Sequence, residues 1–132
     1  MGYNAGGGIT TGSNNVIVGQ RAGQAITTSS FNTAIGRIAA TAVTTGERNT
    51  ALGYGALQTE TAGSRAVALG FNALGTLNTS SANYNVGVGY DAGGAVTTGA
   101  NNTFVGSLVG DAITTSNSNT AVGKSALSSE TS

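Results

Sequence analysis

Short aliphatic stretches recur along the chain, each opened by a polar or small residue and closed by glycine. Asn32-Thr33-Ala34-Ile35-Gly36 returns as Asn49-Thr50-Ala51-Leu52-Gly53 and as Asn119-Thr120-Ala121-Val122-Gly123. Variants begin at Asn15, Ala66, Asn85 and Asn102. The closing glycines are Gly2, Gly19, Gly36, Gly53, Gly70, Gly89, Gly106 and Gly123, spaced by 17 residues at every step but one, which is 19. A fixed period of this size marks a solenoid.

Numbering a coil 1 to 17 and ending it on the glycine gives coils 3–19, 20–36, 37–53, 54–70, 71–89, 90–106 and 107–123, with a partial coil 124–132, in one repeat domain over 1–132. Position 16 is always aliphatic: Val18, Ile35, Leu52, Leu69, Val88, Val105 and Val122. Position 14 is always Val or Thr. Residues two apart share a face of a strand, and β-branched side chains suit a pleated surface. Positions 13 to 16 are therefore expected to form a short strand, with 14 and 16 facing a core. Position 3 is alanine in every coil but the one holding Val109, which implies a tight interior. Position 7 is Ile9, Ile26, Val43, Val96 and Ile113, with Glu60 breaking the pattern. A second strand is expected over positions 5 to 9, ending in Thr-Thr pairs, and the Gly or Ser at position 10 makes a turn.

A helix does not fit, because Gly and Thr are too frequent and 3.6-residue spacing is absent. The fold class is all-β, a parallel β-solenoid of about seven coils. Neighbouring coils stack about 4.8 Å apart, for a rod of roughly 35 Å. So thin a core and two open strand ends favour association, and cyclic homo-oligomers are the usual solution.

Composition narrows the chemistry. The 132 residues include 22 Gly and no Pro, Cys, His or Trp, with 8% charged residues and zero formal net charge. Arg21, Arg37, Arg48, Arg65 and Lys124 are dispersed, so the basic footprint of a nucleic-acid binder is missing. No apolar run reaches the roughly 18 residues of a membrane-spanning helix, so no membrane insertion is expected. Without Cys or His there is no disulfide framework, thiolate nucleophile, His-based triad or usual zinc donor set. Glu47, Glu60, Asp91, Asp111 and Glu130 occupy different repeat positions and form no evident carboxylate pair. A non-enzymatic chain without cofactors or metals is expected.

The repeat resembles the head repeats of YadA-type trimeric autotransporter adhesins, in which Ser-Val-Ala-Ile-Gly is followed by Ala-x-Ala and a turn; Asn32 to Gly36, Ala39 and Ala42 follow that pattern. Gly2 to Ala5, Thr11 to Val16 and Gly70 to Leu74 resemble repeats of bacteriophage and virus-like tail fibres. The resemblance implies a left-handed, homotrimeric β-roll on an extracellular surface, either a virion tail fibre or a bacterial cell surface. The functions it implies are a structural fibre segment, with spacer and host-surface contact roles, or the head of an adhesin. The partners are then further copies of the chain and a host glycan or protein receptor. The adhesin motif for matrix binding has a Ser three residues after its Gly, where this chain has alanine or Val109, so that activity is not carried over.

Several residues are candidates for contact. Asn15, Asn32, Asn49, Asn85, Asn102 and Asn119 share position 13, as an amide ladder or as a glycan-binding row. Tyr54, Phe71 and Tyr90 share position 1, as packed rings or as a sugar-stacking platform. The fifth coil carries two extra residues between Gly75 and Tyr84. Insertions in repeats map to loops, often on a binding face, which singles out Asn78, Asn83 and Tyr84. Arg48, Arg65, Glu47 and Glu60 are expected on a solvated surface. The doubled Thr rows raise ice binding as a further alternative, although adjacent threonines on a strand point to opposite faces.

Overall fold

The computed structural model describes residues 2–128. The end of the partial coil, with Glu130, lies outside the described residues. The chain is a parallel β-solenoid with one three-residue strand per coil: β1 Val16–Val18, β2 Thr33–Ile35, β3 Thr50–Leu52, β4 Val67–Leu69, β5 Val86–Val88, β6 Thr103–Val105 and β7 Thr120–Val122. They form a single seven-stranded sheet in sequence order. Each residue pairs with the one 17 further on, as Thr33 does with Thr50. Across the longer coil the pairing becomes Val67 with Val86, so the two extra residues are absorbed without a register slip.

The second expected strand does not form among the described residues. Positions 5 to 9 are turns and bends instead, and just before them stand residues with positive φ at positions 2 and 4, such as Ile38 (φ 55°) and Ala40 (φ 48°) in one coil, and Asn72 (φ 52°) and Leu74 (φ 49°) in another. The geometry has a hydrogen-bonding logic. The Ile38 N–H donates back to Gln20 O (2.9 Å), while the Ala40 N–H donates forward to Ala56 O (2.9 Å). Reversing the peptide direction twice lets the inter-coil bonding continue through a turn, so its backbone groups are satisfied without a β ladder. A third left-handed residue stands at position 12, just before each strand.

The strand faces are the reverse of the expectation. Position 15 points inward: Ala34, Ala51, Ala68, Phe104 and Ala121 are buried, and Ile17 packs against the same cluster. Val18, Ile35, Leu52, Leu69, Val88, Val105 and Val122, expected as the core, lie on the outer face; Leu52 is 45% and Val122 69% exposed. The cause is the narrowness of the interior. A Cβ added at Gly87, the position-15 residue of β5, would already lie 2.9 Å from Leu74 Cγ. An aliphatic column at every inward strand position has no room, so the larger side chains face out. The core is completed from across the coil by Ala22, Ala39, Ala56, Ala73, Ala92 and Val109 of position 3, and by Ile26, Val43 and Val96 of position 7.

The closing glycines are needed where they stand. Gly36 has φ 133°, and a Cβ there would collide with the carbonyl of Gly53 in the next coil. An L side chain meets both a disfavoured backbone region and a neighbouring backbone that cannot move aside.

Candidate functional site: the insertion pocket and the outer sheet face

The position-13 asparagines do form a column, but its bonds run from side chain to backbone. The Asn32 Oδ1 accepts the N–H of Asn49 (2.9 Å), and the Asn32 Nδ2 donates to Gly46 O (3.0 Å), both on the following coil. Asn15, Asn49, Asn85 and Asn102 repeat this two-pronged contact. Asn32, Asn49, Asn85 and Asn102 are buried. These amides serve the fold and are not placed to bind a glycan.

The column is interrupted at Ala66, which has no side-chain oxygen to offer the N–H of Asn85. Asn83, from the longer coil, supplies the missing acceptor through its Oδ1 (3.1 Å). Asn83 is consequently buried, not the surface contact expected of it. Its amide also donates to Thr79 Oγ1 (3.1 Å) and to Glu60 Oε2 (3.4 Å).

Glu60 corrects the expectation of a solvated carboxylate, being 0% exposed. It occupies the core position held by Ile or Val in other coils. Its Oε1 accepts the N–H of Thr61 (2.9 Å) and of Gly63 (2.8 Å). Its Oε2 accepts the Thr79 hydroxyl (3.0 Å), and the Thr79 N–H reaches both oxygens at 3.1 Å. The inserted residues break the regular inter-coil bonds, and a buried carboxylate satisfies the N–H groups left over. Burial of a charge is tolerable only with such donors around it. Leu77 takes the apolar core place of the fifth coil.

Above this floor lies a pocket of about 420 Å³. Thr61, Asn78, Ser80, Ser81 and Thr98 contribute polar side chains to its lining, and Ala62, Ala82 and Ala100 contribute methyls. No Lys, Arg, Asp or Glu lines it. Asn78 is exposed and accepts the Thr61 hydroxyl through Oδ1 (2.9 Å). Of the residues expected at this site, the structure therefore keeps Asn78 at the mouth and draws Asn83 into the wall. Tyr84 is not part of the lining; it stands exposed with the Arg65 guanidinium 5.5 Å from its ring centroid.

Tyr54, Phe71 and Tyr90 form a separate column, away from the pocket. Tyr54 and Phe71 stack at 5.1 Å and 9°, and Phe71 and Tyr90 at 5.3 Å and 10°. The column is extended by Arg37, 5.4 Å from the Tyr54 centroid and bonded to its hydroxyl (3.1 Å) and to Gln20 (2.9 Å). Near-parallel stacking leaves the rings' edges to solvent and turns their faces to one another. A sugar needs a free face for stacking, and within this column the inner ring faces are occupied.

Beside the column runs the outer face of the sheet. Val67, Leu69, Val86 and Val88 lie there half-buried, with Leu52 and Val105 exposed. Position 12 borders it on the other side, where Arg48 packs 5.4 Å from the Phe31 centroid and pairs with Glu47 (2.7 Å). The strip made by positions 14 and 16 carries no charged residue in any of the seven coils.

The paired threonines divide as strand parity would not have required. The first of each pair, as in Thr10, Thr27, Thr44 and Thr97, donates its hydroxyl to a carbonyl of the next coil. The second, as in Thr11, Thr28, Thr45, Thr98 and Thr115, is exposed, leaving one broken column of free hydroxyls. Among the described residues there is no cluster of three acidic, His or Cys side chains that could hold a metal ion, and no helix long and apolar enough to cross a membrane.

In comparisons with known proteins, no family model, curated protein or solved structure matches the chain.

Proposed function

We propose that the chain is a non-enzymatic segment of a homotrimeric, left-handed β-solenoid fibre on an extracellular surface, acting as a rigid spacer with a host-surface contact on its side. A phage or virus-like tail fibre is the preferred setting, by the resemblance of its repeats. The observation that carries the reading is the outer sheet face: the strands turn the Val, Ile and Leu of position 16 outward, and the uncharged strip they make with the Val and Thr of position 14 has no cover within the chain. Contiguous exposed apolar surface of this kind marks an association site.

The dimensions suit that use. From position 12 to position 1 of the next coil the face is about 20 Å wide, and six inter-coil steps make it about 29 Å tall, roughly 600 Å² in all. Stable interfaces bury about 600–1,000 Å² per partner, so the strip lies at the lower end of that range. A second copy presents the same coil spacing, so every coil of one chain can meet a coil of its neighbour in the same register. The aromatic and Arg columns at positions 1 and 12 provide the amphipathic rim that interfaces favour.

The test is the solution mass by light scattering coupled to size exclusion. A trimer is expected. A stable monomer that keeps its β signal would remove the fibre reading, since the strip would then be an ordinary solvent-facing surface.

A further inference from the structure

The repeat is broken in one region, and its breaks are coordinated. The two-residue insertion, the loss of Asn at Ala66, the carboxylate at Glu60 and the loss of Thr at Ala62 fall within coils 54–70 and 71–89; the inserted loop and Ala62 line one pocket, and Glu60 and the substitute for Ala66, Asn83, are bonded to one another in its support. Glu60 fixes Thr79 and Asn83 from behind, and Thr79 Oγ1 also reaches Ser81 O (3.1 Å). The wall is thus held by a buried network, while the rim is not used up: the hydroxyls of Ser80, Ser81 and Thr98 and the Asn78 Nδ2 make no hydrogen bond within the chain among the described residues. Rigid support behind unspent polar groups is the arrangement of a preorganised binding site.

We propose that this pocket binds an uncharged saccharide, as a mono- or disaccharide unit of a longer glycan. The proposal deepens the surface-contact part of the function above and is independent of oligomerisation. The volume of about 420 Å³ lies within the range of about 300–1,000 Å³ for small-ligand clefts. The lining selects the chemistry. Hydroxyl and amide groups that both donate and accept match sugar hydroxyls. The lining methyls of Ala62, Ala82 and Ala100 suit the C–H face of a ring. The absence of any cationic lining residue, and the Glu60 carboxylate directly behind Thr79 and Asn83, disfavour anionic ligands.

Saturation-transfer NMR on the intact chain tests this with glucose, galactose, mannose, N-acetylglucosamine, maltose and lactose, and with sialic acid and glucuronate as anionic counterparts. At least one neutral sugar is expected to bind with a Kd on the order of 1 mM. Thr98→Val, which keeps the side-chain shape, and Ser80→Ala should together weaken binding by about tenfold without changing the melting temperature. No transfer to any neutral sugar at about 50 mM, response to the anions alone, or binding unchanged in the double variant would each overturn the proposal. The oligomeric state, read separately, keeps failure here distinct from failure of the fibre reading.

Discussion

The ring of Phe104 fills the space in which Gly110 has no side chain: a Cβ on Gly110 would stand 2.7 Å from Phe104 Cε1 and 3.0 Å from Cζ. Gly93 makes the same concession on the other side, at 2.9 Å from Cδ2. In the neighbouring coil the sizes reverse, with Gly87 at the inward strand position and Leu74 across from it. Around Phe104 and Leu74, positions 15 and 4 compete for the same interior space. Gly110→Ala is therefore expected to destabilise the chain by about 1–3 kcal/mol, as overpacking does. Phe104→Leu in the same chain should recover part of that loss. Thermal melts of the two single variants and the double variant measure the coupling; strict additivity would refute the shared volume.

Asn49 holds two buried backbone groups of the next coil, the Ala66 N–H and the Gly63 carbonyl, each at 2.9 Å. Asn49→Ala orphans both, and each buried unsatisfied group costs about 1–3 kcal/mol. Ala66→Asn carries the contrary expectation. It restores the repeat, yet should not stabilise, because Asn83 already bonds the Asn85 N–H. Chemical denaturation of the two variants checks both, and a gain from Ala66→Asn would show that Asn83 is not a substitute.

Glu60→Ile also brings the sequence closer to its repeat and is expected to be worse. It leaves the N–H groups of Thr61, Gly63 and Thr79 without their acceptor. The loss should exceed about 2 kcal/mol and be local at first. Hydrogen exchange is the suitable readout: Thr61, Gly63 and Thr79 should lose protection while the amides of β1 and β2 keep theirs.

The two faces of one strand separate folding from assembly. Ala51 is buried and Leu52 is 45% exposed. Ala51→Asp should unfold the chain, since an unpaired charge enters a dry interior. Leu52→Asp and Ile35→Asp should leave the β signal in place and lower the solution mass to that of a monomer. Unfolding by Leu52→Asp at low concentration, where the chain is dissociated, would place position 16 back in the core.

The period, the strands and the closing glycines could be read from the chain because each is imposed by an event repeated in every coil. The direction of the strand faces could not. A three-residue strand alternates whichever way it points, and the larger aliphatics of position 16 drew the assignment inward. The alanines of position 15 carry the opposite information only through their pairing with position 4, where Gly93 and Gly110 accompany Phe104. The second strand is absent for a different reason: left-handed residues such as Ile38 and Leu57, with φ of 55° and 54°, turn the chain just before it, a conformation that their side chains do not announce. At the insertion, Glu60 was visible as a break in an apolar column. Its burial goes with the N–H groups that it caps, one of them in a loop 19 residues away, the Thr79 N–H.

The asparagine column gives the rod a sense of direction. Every position-13 amide reaches forward, to the coil that follows, and never back while a next coil is there to meet it. Each turn thus fastens the one that follows it, and the two directions along the axis are not equivalent. Polarity along the axis is built into a single recurring side chain.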